Sequence, residues 1–206
     1  MADFIPPEAQ ARVEAAIQAA ETHTRAELVA VVAPESDDYR FVVLAFAAVL
    51  GLAAPFIWSL GLLQGGAIEA HAASLGVALA ILILGRIDGV RRLLAPKSLQ
   101  HRRAARNARA QFFSQKVRMT RDRAGVLLFV SVFERHVEII ADDAAAAAVP
   151  AAVWEEAIAA FVQALRADGP PAGLLAAIAV LDDALAKHLP GDAADQDELP
   201  NRLIIL

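Results

Sequence analysis

The sequence has no cysteine in 206 residues. Disulfides, thiolate nucleophiles, cysteine-ligated zinc and iron–sulfur clusters are therefore excluded. Aromatic residues are scarce as well, at 6%, although hydrophobic residues reach 57%, above the usual ~45–50%. The excess is aliphatic and alanine-rich, which suits helices and lipid-facing surface better than an enlarged water-soluble core. Positive charge is thin over residues 1–85, which carry three basic and nine acidic side chains. The opening MADFIPPEAQ lacks a basic n-region and an apolar h-region, so no cleavable signal peptide is expected there. P-loop, HExxH and GxSxG spacings are also missing. With them go the common sequence marks of nucleotide hydrolysis, zinc proteolysis and serine hydrolysis.

What is present is a long uncharged run. Phe41 to Leu63 reads FVVLAFAAVLGLAAPFIWSLGLL, enough for a helix to cross a ~30 Å hydrocarbon core. Pro55 would break a soluble helix but is tolerated in a membrane helix. A second run over residues 67–87 keeps its polar residues, Glu69, His71 and Arg86, near its ends, where they can reach water. Together, 41–63 and 67–87 read as a transmembrane helical hairpin. Two crossings also return the chain to the side on which it started, so residues 1–40 and 88–206 can join in one domain.

The basic residues are concentrated just beyond this hairpin. Residues 86–123 carry twelve basic and two acidic side chains, and residues 124–206 carry four basic and thirteen acidic. Arg40 precedes the first run, and Arg86, Arg91, Arg92 and Lys97 follow the second, while the connecting segment 64–71 has no Lys or Arg. The positive-inside rule then predicts both termini in the cytoplasm and the short loop outside. The same four cations are placed to meet anionic lipid headgroups. The basic block lacks the interleaved aromatics that stack on bases, so no nucleic-acid partner is expected.

Around the hairpin the pattern is α/β. Ala9, Val13, Ala16, Ile17 and Ala20 repeat at helical spacing over residues 8–23. AELVAVV (26–32), GVLLFVS (125–131) and HVEIIA (136–141) read as strands. In the third, Val137, Ile139 and Ala141 share one face, and His136, Glu138 and Ile140 share the other. A basic amphipathic helix is predicted over 102–119, with Ala105, Ala108, Phe112, Gln115 and Met119 along one face. Two more helices are predicted, one from Pro150 to near Gly169 and one over 174–188, with Pro170–Pro171 breaking the chain between them. The tail turns from polar to apolar at RLIIL, which either docks on the domain or adds an edge strand. The expected fold is a small α/β sandwich.

Four strings, AAIQAAETHTRAELVAVVAPESDDYR, RDRAGVLLFVSVFERHVEIIADD, VWEEAIAAF and HLPGDAADQDELPNRLIIL, occur in this order. They resemble the TPM domain family, named for a thylakoid lumen protein, a photosystem II repair protein and a nematode receptor modulator. The resemblance covers residues 8–40 and 100–206. It is strongest to the bacterial membrane-bound branch, in which a two-helix hairpin splits the domain, and implies a TPM-like α/β sandwich in the bacterial inner membrane. Plant relatives described as acid phosphatases, and relatives that bind divalent cations, suggest Ca²⁺ or Mg²⁺ chemistry. The sequence departs from the family where ADDAA replaces the more usual ADRGI, so that Asp143 and Ala144 stand in place of Arg and Gly.

Five carboxylates are candidates for such chemistry. Asp37 and Asp38 sit together before the first run, and Asp142 and Asp143 end the third strand, with Glu138 four residues earlier than Asp142. Hard oxygen ligands of this kind suit Ca²⁺ or Mg²⁺, and a bound Mg²⁺ can orient a phosphoryl group. Acidic pairs at strand ends are also common as solvated caps. Glu134, Arg135 and His136 form a charged turn expected to be exposed. No compact catalytic constellation is visible. The sequence thus favours a non-enzymatic membrane-tethered interaction module with a protein partner over a divalent-metal-assisted phosphatase.

Overall fold

The computed structural model describes residues 5–62, 65–191 and 202–206. The expectations for the polar tail at 192–201 and for the loop at 63–64 lie outside them. The chain divides into two compact units, one of residues 1–34 and 105–206, the other of residues 35–104.

The first unit holds a four-stranded sheet in the order β3-β2-β1-β4. Its strands are β1 (Leu28–Ala33), β2 (Val126–Ser131), β3 (His136–Ala141) and β4 (Leu203–Ile205). β1 runs parallel to β2, with Leu28 opposite Val126 and Ala33 opposite Ser131. It also runs parallel to β4. β2 and β3 form an antiparallel hairpin in which Val126 faces Ala141. RLIIL therefore adds an edge strand, tied down where the Leu203 N–H donates to Glu14 at 3.2 Å.

β1 and β2 are buried along their whole length because both faces of the sheet are covered, so they read as continuous apolar runs rather than alternating ones. Alternation still decides which layer each residue enters. Leu28, Ala30, Val32, Val126 and Leu128 meet α1 (Pro7–Glu21), α7 (Ala151–Asp168) and α8 (Pro170–His188). Val29, Val31, Leu127 and Phe129 meet Ala108 and Phe112 of α5 (Lys97–Ser114), together with Val117. Gly125 is needed where the chain passes Val117, because a Cβ there would overlap the Val117 carbonyl.

Three expectations are corrected. Pro170–Pro171 start α8 instead of breaking the chain, because a proline in the first helical turn removes an N–H that would have no intrahelical partner. The helix expected over 102–119 ends at Ser114, leaving Met119 exposed as the last residue of a short 3₁₀ turn at Val117–Met119. Glu134, expected on an exposed turn, is buried and accepts the Ser131 hydroxyl at 2.5 Å. Two short helices, α4 (Asp88–Leu94) and α6 (Asp143–Ala148), add to the predicted set.

The second unit is a helical hairpin of α2 (Arg40–Ile57), which continues through a π-helical turn at Trp58–Leu62, and α3 (Ala67–Leu84). Both helices are long and apolar enough to cross a membrane, with mean hydropathy 2.4 in the most apolar 18-residue window of Arg40–Leu60 and 2.0 over Ala67–Leu84. Pro55 has no N–H to offer the carbonyl of Gly51, four residues earlier. Ser74 of α3 supplies the missing donor, its hydroxyl bonding the Gly51 carbonyl at 2.5 Å. The helices pass closely there, with a Cβ at Gly51 falling 3.1 Å from that of Ala78. Glu69 closes the start of α3 by accepting the Gly66 N–H at 2.8 Å.

Candidate functional site

The hairpin register of β2 and β3 brings Arg123 opposite the acidic pair. The Asp142 N–H donates to the Gly125 carbonyl, and the Ala144 N–H donates to the Arg123 carbonyl. Arg123 takes a left-handed backbone (φ 52°), and its guanidinium meets both carboxylates, Asp143 at 2.5 Å and Asp142 at 3.4 Å. Asp142 is 3% exposed and caps α6 by accepting the Asp143 N–H at 2.8 Å. The hydrogen bond to Asp142, then the charges of Asp143 and Asp142, hold the Arg123 guanidinium above its ordinary pKa. It is a fixed cation throughout the physiological range.

Glu138 is not part of this cluster. Its carboxylate meets His136 Nε2 at 3.0 Å, both side chains being half-buried on β3. Asp37 and Asp38 lie in the hairpin unit. Asp37 accepts the Tyr39 N–H and meets Arg103 Nε at 3.1 Å. Asp38 accepts the Arg40 N–H and meets Arg40 Nε at 3.1 Å. Both are Asx-type contacts that shape the turn into α2. The structure thus joins Asp142 and Asp143 around one cation and gives Glu138, Asp37 and Asp38 separate partners. Among the described residues, no group of three or more histidine, aspartate or glutamate side chains is arranged to hold a metal ion.

Sequence reasoning missed Arg123 and the knot around Arg91. The signal for Arg123 was available, since pairing GVLLFVS with HVEIIAD in a hairpin sets RDR against the DD that follows. Arg91 sits between Glu35 at 2.6 Å and Asp88 at 2.9 Å and also donates to the Asp38 carbonyl. Nothing in the local pattern of α4 points to Glu35.

The profile of the TPM domain matches residues 66–184. The chain belongs to the TPM domain family. The match starts in the loop before α3 and runs into α8, so it includes the second hairpin helix. No curated protein sequence matches the chain. Its fold is similar to the NMR structure of BA42 from the psychrophilic bacterium Bizionia argentinensis, at a TM-score of 0.63 and 18% identity. That likeness covers 98% of this chain and 96% of BA42. At such low identity it speaks for a TPM-type fold and for nothing finer.

Proposed function

We propose that this TPM domain protein is anchored in the bacterial inner membrane by its helical hairpin and presents its α/β unit in the cytoplasm as a non-enzymatic interaction module. The observation that carries the reading is the exposure of α2 and α3. Only 22% of the first apolar window and 6% of the second is buried. A soluble core helix would be covered, and a signal sequence would stand near the N-terminus. These helices are interior and present Phe41, Leu52, Phe56, Leu75 and Ile83 to the surroundings. Exposed apolar surface of this extent calls for lipid or a partner, and an uncharged helix of this length suits lipid. The arginines after α3 favour cytoplasmic termini.

The five carboxylates support the non-enzymatic part of the reading. Each already has a side-chain partner: Arg103 for Asp37, Arg40 for Asp38, the His136 imidazole for Glu138, and Arg123 for Asp142 and Asp143. The competing reading, a divalent-metal-assisted phosphatase on these residues, draws on the family resemblance and would need Ca²⁺ or Mg²⁺ to displace those partners.

The absence of native cysteine makes the topology easy to test. In intact bacterial cells, a membrane-impermeant maleimide is expected to label Ile68→Cys in the first turn of α3, at the loop end of the hairpin, but to reach Gln163→Cys on α7 only after the inner membrane is opened. Recovery of the full chain as a folded soluble protein without detergent would refute the anchoring. Magnesium-dependent hydrolysis of phosphate esters, abolished in Asp143→Asn, would refute the non-enzymatic reading.

A further inference from the structure

At the end of the hairpin where the polar turns gather, the second unit contains a cavity of about 920 Å³. Its apolar wall is made by Leu44 of α2 and by Leu79, Leu82 and Ile83 of α3, all exposed. Its rim is charged and comes from Asp38, Arg40, Arg86, Asp88 and Arg91. Gly85 lets the two helices close on each other at the base, since a Cβ there would overlap the Val43 side chain.

The rim charges are not equivalent. Arg91 is committed to Glu35 and Asp88. It serves as a strut and leaves headgroup contact to others. Arg40 meets only its neighbour in sequence, Asp38, and both side chains are well exposed, so the pair holds it weakly. Arg86 is exposed and has no hydrogen-bond or ion-pair partner among the described residues. Glu35 and Asp88 already answer Arg91, which leaves Arg40 and Arg86 facing a single carboxylate, Asp38, at the rim, a local excess of one positive charge at that edge of the cavity. The cavity combines this excess with an aliphatic wall that runs directly into the hairpin's outer surface.

That combination matches one kind of molecule. We propose that the cavity binds a single anionic diacyl phospholipid, its phosphate held by Arg86 and Arg40 and one acyl chain lying along Leu44, Leu79 and Ile83. The proposal rests on the hairpin being embedded in a bilayer, where phospholipid surrounds it. A planar guanidinium fork suits a phosphodiester. A net-neutral choline lipid leaves the excess positive charge of the site uncompensated, so phosphatidylglycerol is favoured over phosphatidylcholine.

The test uses the full chain reconstituted in phosphatidylcholine bilayers containing a minority of phosphatidylglycerol and then extracted in mild detergent. Native mass spectrometry counts the lipid retained. The wild type is expected to keep one phosphatidylglycerol per chain, and Arg86→Ala and Arg40→Ala are each expected to lower retention about fivefold, the value of one surface arginine toward anionic lipid. Arg109→Ala, on α5 and outside the cavity, is expected to retain lipid like the wild type. Inorganic phosphate and glycerol phosphate are expected not to compete. Effective competition by either would move the site to a free phosphate and overturn the lipid assignment. Retention unchanged in both variants, or lowered equally in Arg109→Ala, would overturn the site while leaving the membrane anchor intact. A chain that never enters the bilayer would overturn both.

Discussion

The two units use the same aliphatic alphabet and treat it in opposite ways. In the α/β unit, LVAVVA and VLLFVS are sealed on both faces by helices. In the hairpin, equally apolar residues face outward, Leu52 at 78% exposure against 0% for Leu127. Apolarity states what a side chain avoids and is silent on what covers it. For the sheet the cover is the chain itself, whereas for the hairpin it has to come from outside.

Substitutions can separate the two regimes. The largest effect is expected at Phe129, fully buried between β1, β2 and α5. Phe129→Ala should cost the α/β unit about 3–5 kcal/mol, read by denaturant unfolding, while membrane association is retained. The mirror experiment is Leu52→Arg. It should disfavour insertion of α2 by about 2.5–3.5 kcal/mol, read as the fraction of chains recovered in membranes, and leave the thermal transition of the α/β unit in place. If either variant damages both units equally, the division between them is wrong. Asp142→Ala removes the α6 cap and half of the Arg123 clamp, and a loss of about 1–2 kcal/mol is expected, with secondary structure by circular dichroism otherwise preserved. Ser74→Ala is the mildest. It strips the Gly51 carbonyl of the donor that replaces the Pro55 N–H, at about 0.6–1.7 kcal/mol, read as weaker resistance of the hairpin to detergent. Restoring an N–H in Pro55→Ala should erase most of that penalty, because the helix can then bond the carbonyl itself.

Much of the fold was legible because it rests on short-range patterning. Three strands, the hairpin helices and the apolar faces of β3 followed from period and length alone. The short helices α4 and α6 did not, since one sits in a basic turn and the other in AAAAA, where composition carries no periodicity. The site was only half legible. The carboxylates Asp37, Asp38, Glu138, Asp142 and Asp143 were visible as residue types suited to a cation. Their partners depend on strand register and on turns, which set Arg123 against Asp143 and Arg103 against Asp37. Glu134 was misjudged for the same reason. A charged residue in a tight turn looks solvent-bound until a neighbouring hydroxyl, here Ser131, is found to be satisfying it.

The pairing of Leu28 with Val126 has a consequence for biosynthesis. β1 emerges from the ribosome early, yet its parallel partner is made only after both hairpin helices. At ~5–20 residues per second, β1 waits roughly 5–20 s for β2. For that interval LVAVVA is an uncovered, uncharged stretch of high β-propensity, the sort of segment that nascent chains must keep from self-association.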